Sequence, residues 1–197
     1  MPCSKNSGGC GGLTNCRACS GKTLAEIVRC YRKTCSPNLW KDLRELSVGK
    51  TDAEILESSC GSIFTSGKMH SHQRRVGSKV LRDARAALKD FPIGKFDSFE
   101  SLHCEIQKKI MNIPRVGALT VYDIALRVGY SKKMYPQKVY LHTGALTGAR
   151  NLIGTRARQG VLGKDDFPEA LRSLDAMEIE NLLCICKAAL KEVVRHG

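Results

Sequence analysis

The chain is poor in aromatic residues and in negative charge, and it has no long apolar run. Phenylalanine, tyrosine and tryptophan make up 6% of its 197 residues, and Trp40 is the single tryptophan. No apolar stretch approaches the roughly 18 residues that a membrane-spanning helix needs. The opening residues, Met1-Pro2-Cys3-Ser4-Lys5-Asn6, lack the apolar core of a secretory signal. A cytoplasmic, reducing location is therefore the expectation, and in such a compartment cysteines serve as thiols or metal ligands more often than as disulfides. Nineteen Asp and Glu stand against 32 Lys and Arg, which gives a net charge of +13 and a pI near 9.4. An excess of this size points to nucleic acid or another polyanion as partner. Several catalytic signatures are missing too: there is no phosphate loop of the G-x4-G-K-S/T type, no H-E-x-x-H and no G-x-S-x-G. No segment shows sustained strict alternation, so an extended sheet is not expected.

Ten cysteines and 18 glycines are present. Residues 1–22 form a segment rich in glycine, serine and cysteine with almost no apolar content. Cys3, Cys10, Cys16 and Cys19 lie in it with the spacing C-x6-C-x5-C-x2-C. The Cys16-Arg17-Ala18-Cys19 pair has the form of a chelating zinc knuckle, in which two thiolates of one tight turn share a metal. Four clustered thiolates also suit an iron–sulfur cluster. Zinc is the first expectation and iron–sulfur the alternative, with Cys30, Cys35 and Cys60 as substitute ligands. Ligation would supply the folding free energy that so glycine-rich a stretch cannot obtain from burial.

An apolar fraction of 42% suffices for a packed core. From Thr23 onward every long periodic run is helical. Thr23-Leu24-Ala25-Glu26 and Thr51-Asp52-Ala53-Glu54 have the form of capping boxes, and Ser36-Pro37 has a cap followed by a first-turn proline. Trp40 is read as a core residue. Lys68, Arg74, Arg75, Lys79, Arg82, Arg85 and Lys89 make the most basic segment, opposed only by Asp83 and Asp90. Tyr135–His142 reads as the start of a helix closed by Thr143-Gly144. Ala145–Ile153 reads as a short helix interrupted at Gly148, and a strongly apolar final helix follows Asp175. The expected fold is all-α, about eight or nine helices around one core. The 1–22 segment would precede a single compact helical domain at 23–197.

The stretch 113–129 organises this reading. Before it, Leu102, Ile106 and Ile110 form one helical stripe; after it, Val121, Ile124, Ala125 and Val128 form another. Between them lies Ile113-Pro114-Arg115-Val116-Gly117-Ala118-Leu119-Thr120, where Ile113 and Val116 act as apolar pins, Pro114 fixes one φ angle and Gly117 provides freedom for a sharp turn. The segment at about 99–129 resembles the helix-hairpin-helix motif: an apolar residue, Pro, Gly, apolar, Gly, two variable positions, then Thr and Ala. Arg115 stands at the first glycine. A wider resemblance, over much of residues 37–197, is to the helical domain of the helix-hairpin-helix DNA glycosylases.

That resemblance implies a grip on the DNA phosphate backbone, with N–H groups of Val116, Gly117 and Leu119, help from Thr120 and a charge from Arg115. It also implies a monovalent cation on the turn carbonyls. Arg74, Arg75 and Lys79 would add phosphate contacts, positioning the protein without reading sequence. Glycosylases of this class flip a base into a pocket and carry an Asp about twenty residues past the motif. Here no carboxylate occurs between Asp123 and Asp165, and Leu119 occupies the place of the lyase lysine. If chemistry is present, His142, Tyr122 and Asp123 are the residues to test. The reading is therefore a backbone-gripping DNA-binding protein. A repair enzyme of atypical site is the first alternative, and a protein-interaction or inhibitor module with a structural hairpin is the second.

Overall fold

The computed structural model describes residues 21–61 and 71–193, and over these the fold is all-α apart from one small ladder. In chain order the elements are α1 (Leu24–Thr34), α2 (Ser36–Ser47), α3 (Asp52–Gly61), α4 (Ser71–Arg74), α5 (Ser78–Ala87), α6 (Phe99–Ile110) and α7 (Ala118–Ser131). Then come β1 (Val139–Leu141), α8 (Thr143–Ile153), β2 (Gly160–Leu162), α9 (Glu169–Arg172), α10 (Ala176–Ile185) and α11 (Lys187–Val193). The chain divides into two compact units: Met1–Leu39 together with Gln137–Gly197, and Trp40–Pro136. Among the described residues, no helix is long and apolar enough to cross a membrane.

In the first unit, α1 opens on the expected capping box: Thr23 Oγ1 and N–H both donate to Glu26 Oε2 (2.8 and 2.9 Å), and the Glu26 N–H returns to Thr23 Oγ1 (3.4 Å). Ile27, Val28 and Tyr31 then face the core, where they join Phe167, Leu171, Ile179, Leu182 and Leu190. β1 and β2 pair antiparallel, with Tyr140 opposite Val161.

Four local expectations change in this unit. The run Val139-Tyr140-Leu141 is a strand, because Val139 and Tyr140 favour strands and all three residues are buried and find a partner in β2. Thr143-Gly144 therefore opens α8 instead of closing a helix. Gly148 does not interrupt α8, which runs unbroken through it. A Cβ on Gly148 would lie 2.0 Å from the Leu183 carbonyl oxygen, and one on Gly144 would lie 2.4 Å from Cys184 Sγ. The glycines are there to let α8 approach α10. Finally, the last apolar run breaks at Cys186 into α10 and α11.

In the second unit α7 is the central helix, buried at every residue from Thr120 to Gly129. The stripe Phe99, Leu102, Ile106 and Ile110 of α6 packs on it, and α3 packs on both α7 and α5. Ser98 caps α6 through the Ser101 N–H (3.2 Å), and Thr51 and Glu54 exchange bonds at the start of α3. Trp40, Tyr130 and Tyr135 form a half-buried triad with ring centroids 6.0–6.1 Å apart. α7 ends in a Schellman turn: the Met134 N–H reaches the Gly129 carbonyl (2.9 Å) and the Lys133 N–H that of Tyr130 (3.1 Å). The turn requires a positive φ at Lys133, which has φ 58°. A side chain in that region costs roughly 1 kcal/mol or more relative to glycine. Lys133→Gly is therefore expected to raise stability by about 1 kcal/mol in urea denaturation. An unchanged or lowered midpoint would contradict the strain.

Candidate nucleic-acid interface

The turn between α6 and α7 is built by its own backbone bonds. The Ile113 N–H meets the Ile110 carbonyl (3.1 Å), and the Val116 N–H meets the Ile113 carbonyl (3.0 Å). Val116 is buried and anchors the turn from inside, while Ile113 is half-buried. The sharp step in the chain falls at Arg115, which has φ 73°. That is the region glycine favours, and an L-residue there costs roughly 1–2 kcal/mol. Gly117 has φ −110° and ψ 171°, an extended geometry open to any residue. The conformational freedom expected of Gly117 is thus used at Arg115 instead.

Gly117 contributes something else. It is the N-cap of α7 and offers no side-chain cap to the helix start. The first intrahelical bond is from the Val121 N–H to the Gly117 carbonyl (3.2 Å), so the N–H groups before it lie in the turn that has no i−4 acceptors. A Cβ at Gly117 would meet nothing within 4 Å, which means open space stands beside those donors. Gly117 and Ala118 are exposed, Leu119 is half-buried and Thr120 is buried. Of the donors expected here, the N–H of Val116 is already bonded within the turn; those of Gly117 and Leu119 stand at the helix start. The positive end of the α7 dipole lies at this spot.

The structure brings a second basic segment against the turn. Arg115 Nη2 donates to the Arg75 carbonyl (3.3 Å), and its Nη1 lies 3.8 Å from where a Gly77 Cβ would be. Gly77, at φ 96°, is the N-cap of α5 and likewise supplies no side-chain cap. Arg74, Arg75 and Arg115 are exposed. Lys79, in the first turn of α5, pairs with Asp83 at 3.2 Å, but both side chains are largely in water, so the pair is weak. Two helix N-termini and three arginines therefore meet at one end of this unit. A cleft of about 400 Å³ lies between α3 and α5, floored by Leu81 and flanked by Arg82 and by the Arg85–Glu57 ion pair (2.8 Å). Neither Tyr122 nor Asp123 lines it.

The residues singled out for chemistry are held in packing and polar networks. Asp123 is buried, accepts from Gln73 Nε2 (3.3 Å) and lies 3.9 Å from Arg127 Nη2. Arg127 also donates to the Ser59 carbonyl (3.2 Å) and to Gln73 Oε1 (3.4 Å), and its own carbonyl accepts from Ser47 Oγ (2.8 Å). Burial pulls the Arg127 pKa below its usual value, and the Asp123 carboxylate opposes that shift. Burial pushes the neighbouring Cys60 thiol up to about 12, so it adds no charge to the network. Sequence reasoning missed Gln73 and Arg127 here, although the i,i+4 spacing of Asp123 and Arg127 on an otherwise apolar helix was a visible signal. Tyr122 is buried with its ring edge-on to Phe99 (5.9 Å). His142 belongs to the other unit, where its carbonyl accepts from the Leu146 N–H (2.6 Å) and its ring stacks beside Tyr140 (6.3 Å).

Cys3, Cys10, Cys16 and Cys19 lie outside the described residues. Cys35 and Cys60 are buried and Cys30 is half-buried. Among the described residues, no group of three or more His, Cys, Asp or Glu is placed to hold a metal ion.

At this level of description the molecule is an all-α protein with an arginine-flanked α6–α7 hairpin. No family model, curated protein or solved structure matches the chain.

Proposed function

We propose that this protein binds nucleic acid, duplex DNA in the first place, by gripping phosphates at the α6–α7 turn. The observation that carries the reading is Arg115, an exposed cation in a left-handed conformation next to the uncapped start of α7. A phosphate at that start would accept from backbone N–H groups, feel the helix dipole and meet a guanidinium. Arg74 and Arg75 supply charge on the flank. Such contacts hold the backbone and carry no sequence readout. The buried state of Asp123 and Tyr122 supports binding over catalysis as the role of this unit.

Two substitutions separate conformation and charge from one another. Arg115→Gly keeps the positive φ and removes the cation. Ala118→Glu places a carboxylate at an exposed first-turn position, where it favours the helix but repels a phosphate. Binding of a labelled 20-base-pair duplex is measured by anisotropy between 50 and 200 mM salt. The parent should show a negative slope of log K against log salt. Arg115→Gly should lower its magnitude by about 0.9, the share of one lost phosphate. Ala118→Glu should weaken binding about tenfold or more at low salt, with the circular dichroism spectrum unchanged. A parent without duplex affinity, or two folded variants that bind like the parent, would overturn the proposal.

A further inference from the structure

The unit formed by Met1–Leu39 and Gln137–Gly197 carries a charge pattern that the hairpin does not account for. From Gln137 to Lys164 every ionisable side chain apart from histidine and tyrosine is a cation. Lys138, Arg150, Arg156 and Arg158 are all exposed, and among the described residues none makes an ion pair or a side-chain hydrogen bond. Other arginines of the same unit are committed to the fold. Arg32 Nη2 donates to the Ser173 carbonyl, and Arg172 reaches the carbonyls of Phe167 (2.9 Å) and Asp165 (3.0 Å). The fold thus uses some of its arginines as internal braces and leaves these four cations in water.

The local backbone groups them. The Gly154 N–H closes α8 on the Arg150 carbonyl, and the Ala157 N–H bonds to the Gly154 carbonyl, so two successive turns carry the chain from Arg150 past Arg156 to Ala157, next to Arg158. β2 then begins at Gly160, opposite Leu141, while Lys138 precedes β1 at the far end of the ladder. Three paired residues span about 10 Å, a length over which duplex DNA presents about six phosphates. Gly154 and Gly160, at φ 65° and 123°, have nothing within 4 Å of a Cβ position. The backbone at these two glycines, one between Arg150 and Arg156 and one just after Arg158, is therefore bare enough for a close-lying ligand chain. Three of the four cations are arginines, whose planar fork matches a phosphate in two bonds. The patch offers a bilayer little to insert: Val161, 45% exposed, is its one exposed large apolar side chain.

We propose that Lys138, Arg150, Arg156 and Arg158 form a second phosphate-binding face, which takes the sugar–phosphate backbone of duplex nucleic acid independently of the hairpin. This rests on reading the protein as a nucleic-acid binder, but it uses none of the hairpin residues. Arg150 sits in the last turn of α8, where a cation also suits the helix dipole, so the decisive variant leaves it in place. Lys138, Arg156 and Arg158 lie outside the α-helices and the strands.

The test uses full-length protein carrying Lys138→Gln, Arg156→Gln and Arg158→Gln together, with the same 20-base-pair duplex and salt series. The triple variant should keep the parent's melting temperature, lower the magnitude of the salt slope by about 2 to 3, and bind at least tenfold more weakly at 50 mM salt. Ala118→Glu, run in parallel, separates the two faces. A triple variant that loses affinity while Ala118→Glu and Arg115→Gly both bind normally leaves this face standing and removes the hairpin reading. A triple variant with the parent's slope overturns this face whatever Ala118→Glu does. A parent with no duplex affinity at 50 mM overturns both. Binding of the parent to phosphatidylserine vesicles, lost in the triple variant while duplex binding is kept, would assign the patch to a membrane surface and overturn the proposal.

Discussion

Gly148→Ala is expected to cost the unit of Met1–Leu39 and Gln137–Gly197 about 3 kcal/mol or more of stability. The added Cβ would lie 2.0 Å from the Leu183 carbonyl oxygen, 2.7 Å from its carbon and 3.0 Å from its Cα. All three atoms are backbone of α10, so no side-chain rotation can make room, and α8 and α10 must separate. Overpacking a well-filled core costs about 1–3 kcal/mol even when side chains can adjust, and a backbone clash exceeds that range. The sign of the effect is informative, because alanine is preferred over glycine in a helix interior by roughly 0.5–1 kcal/mol. Gly144→Ala should cost less: its nearest neighbour is Cys184 Sγ, at 2.4 Å, and that thiol can turn away. Gly94→Ala, with nothing within 4 Å, should be near neutral. Thermal and urea melts followed by far-ultraviolet circular dichroism will order the three. A Gly148→Ala protein as stable as the parent, as helix propensity alone would have it, would mean that α8 and α10 do not meet at this point.

The contrast between the readings of Gly148 and of Thr23 explains which features the sequence exposes. A capping box is local: Thr23 and Glu26, or Thr51 and Glu54, satisfy each other within one turn, and both pairs stand as expected. The α6 stripe and the hairpin bounds are local in the same sense, with α6 starting at Phe99 and α7 ending at Ser131 against an expected span of 99–129. A glycine inside a helix has two opposite meanings, breaker or contact point, and only the partner element decides between them. The same holds for Val139-Tyr140-Leu141, whose strand character depends on β2, about twenty residues further on. In the candidate interface the exposed turn and its charge were legible. The positive φ of Arg115 was not, since an arginine carries no signal for it. The meeting of Arg115 with Arg75, forty residues away, was equally hidden. Gln73 sat in a stretch that reads as a basic surface segment, and nothing local reveals that it is fully buried between Asp123 and Arg127.

Arg127→Met should be the other severe substitution, destabilising by roughly 3–5 kcal/mol at neutral pH, the range seen when one partner of a buried ion pair is removed. Methionine fills much of the arginine stem but cannot donate to the Ser59 carbonyl or to Gln73 Oε1, and it takes the guanidinium away from the buried Asp123 carboxylate, which keeps the bond from Gln73 Nε2. Two consequences distinguish this cause from a simple loss of packing. First, the variant should be sensitive to pH in a definite direction. A buried carboxyl without a cation has a folded-state pKa above its unfolded value near 3.9. The stability deficit relative to the parent is then largest at pH 7–8 and shrinks as pH falls through the folded pKa, where the acid is neutral in both states. Packing loss would give a deficit that does not change with pH. Second, Arg127→Met combined with Asp123→Leu should recover a large part of the loss, because the charge that had become costly is gone and an apolar side chain replaces it. Urea denaturation of parent, single and double variants from pH 5 to 8 measures both effects. A deficit independent of pH, together with a double variant no more stable than the single, would show that the pair does not hold this unit together. It would also return Asp123 to consideration as a group kept for chemistry. The expected result assigns Asp123 to the scaffold: its charge answers Arg127, and α7 is thereby fixed in the core with its N-terminal turn presented at the hairpin.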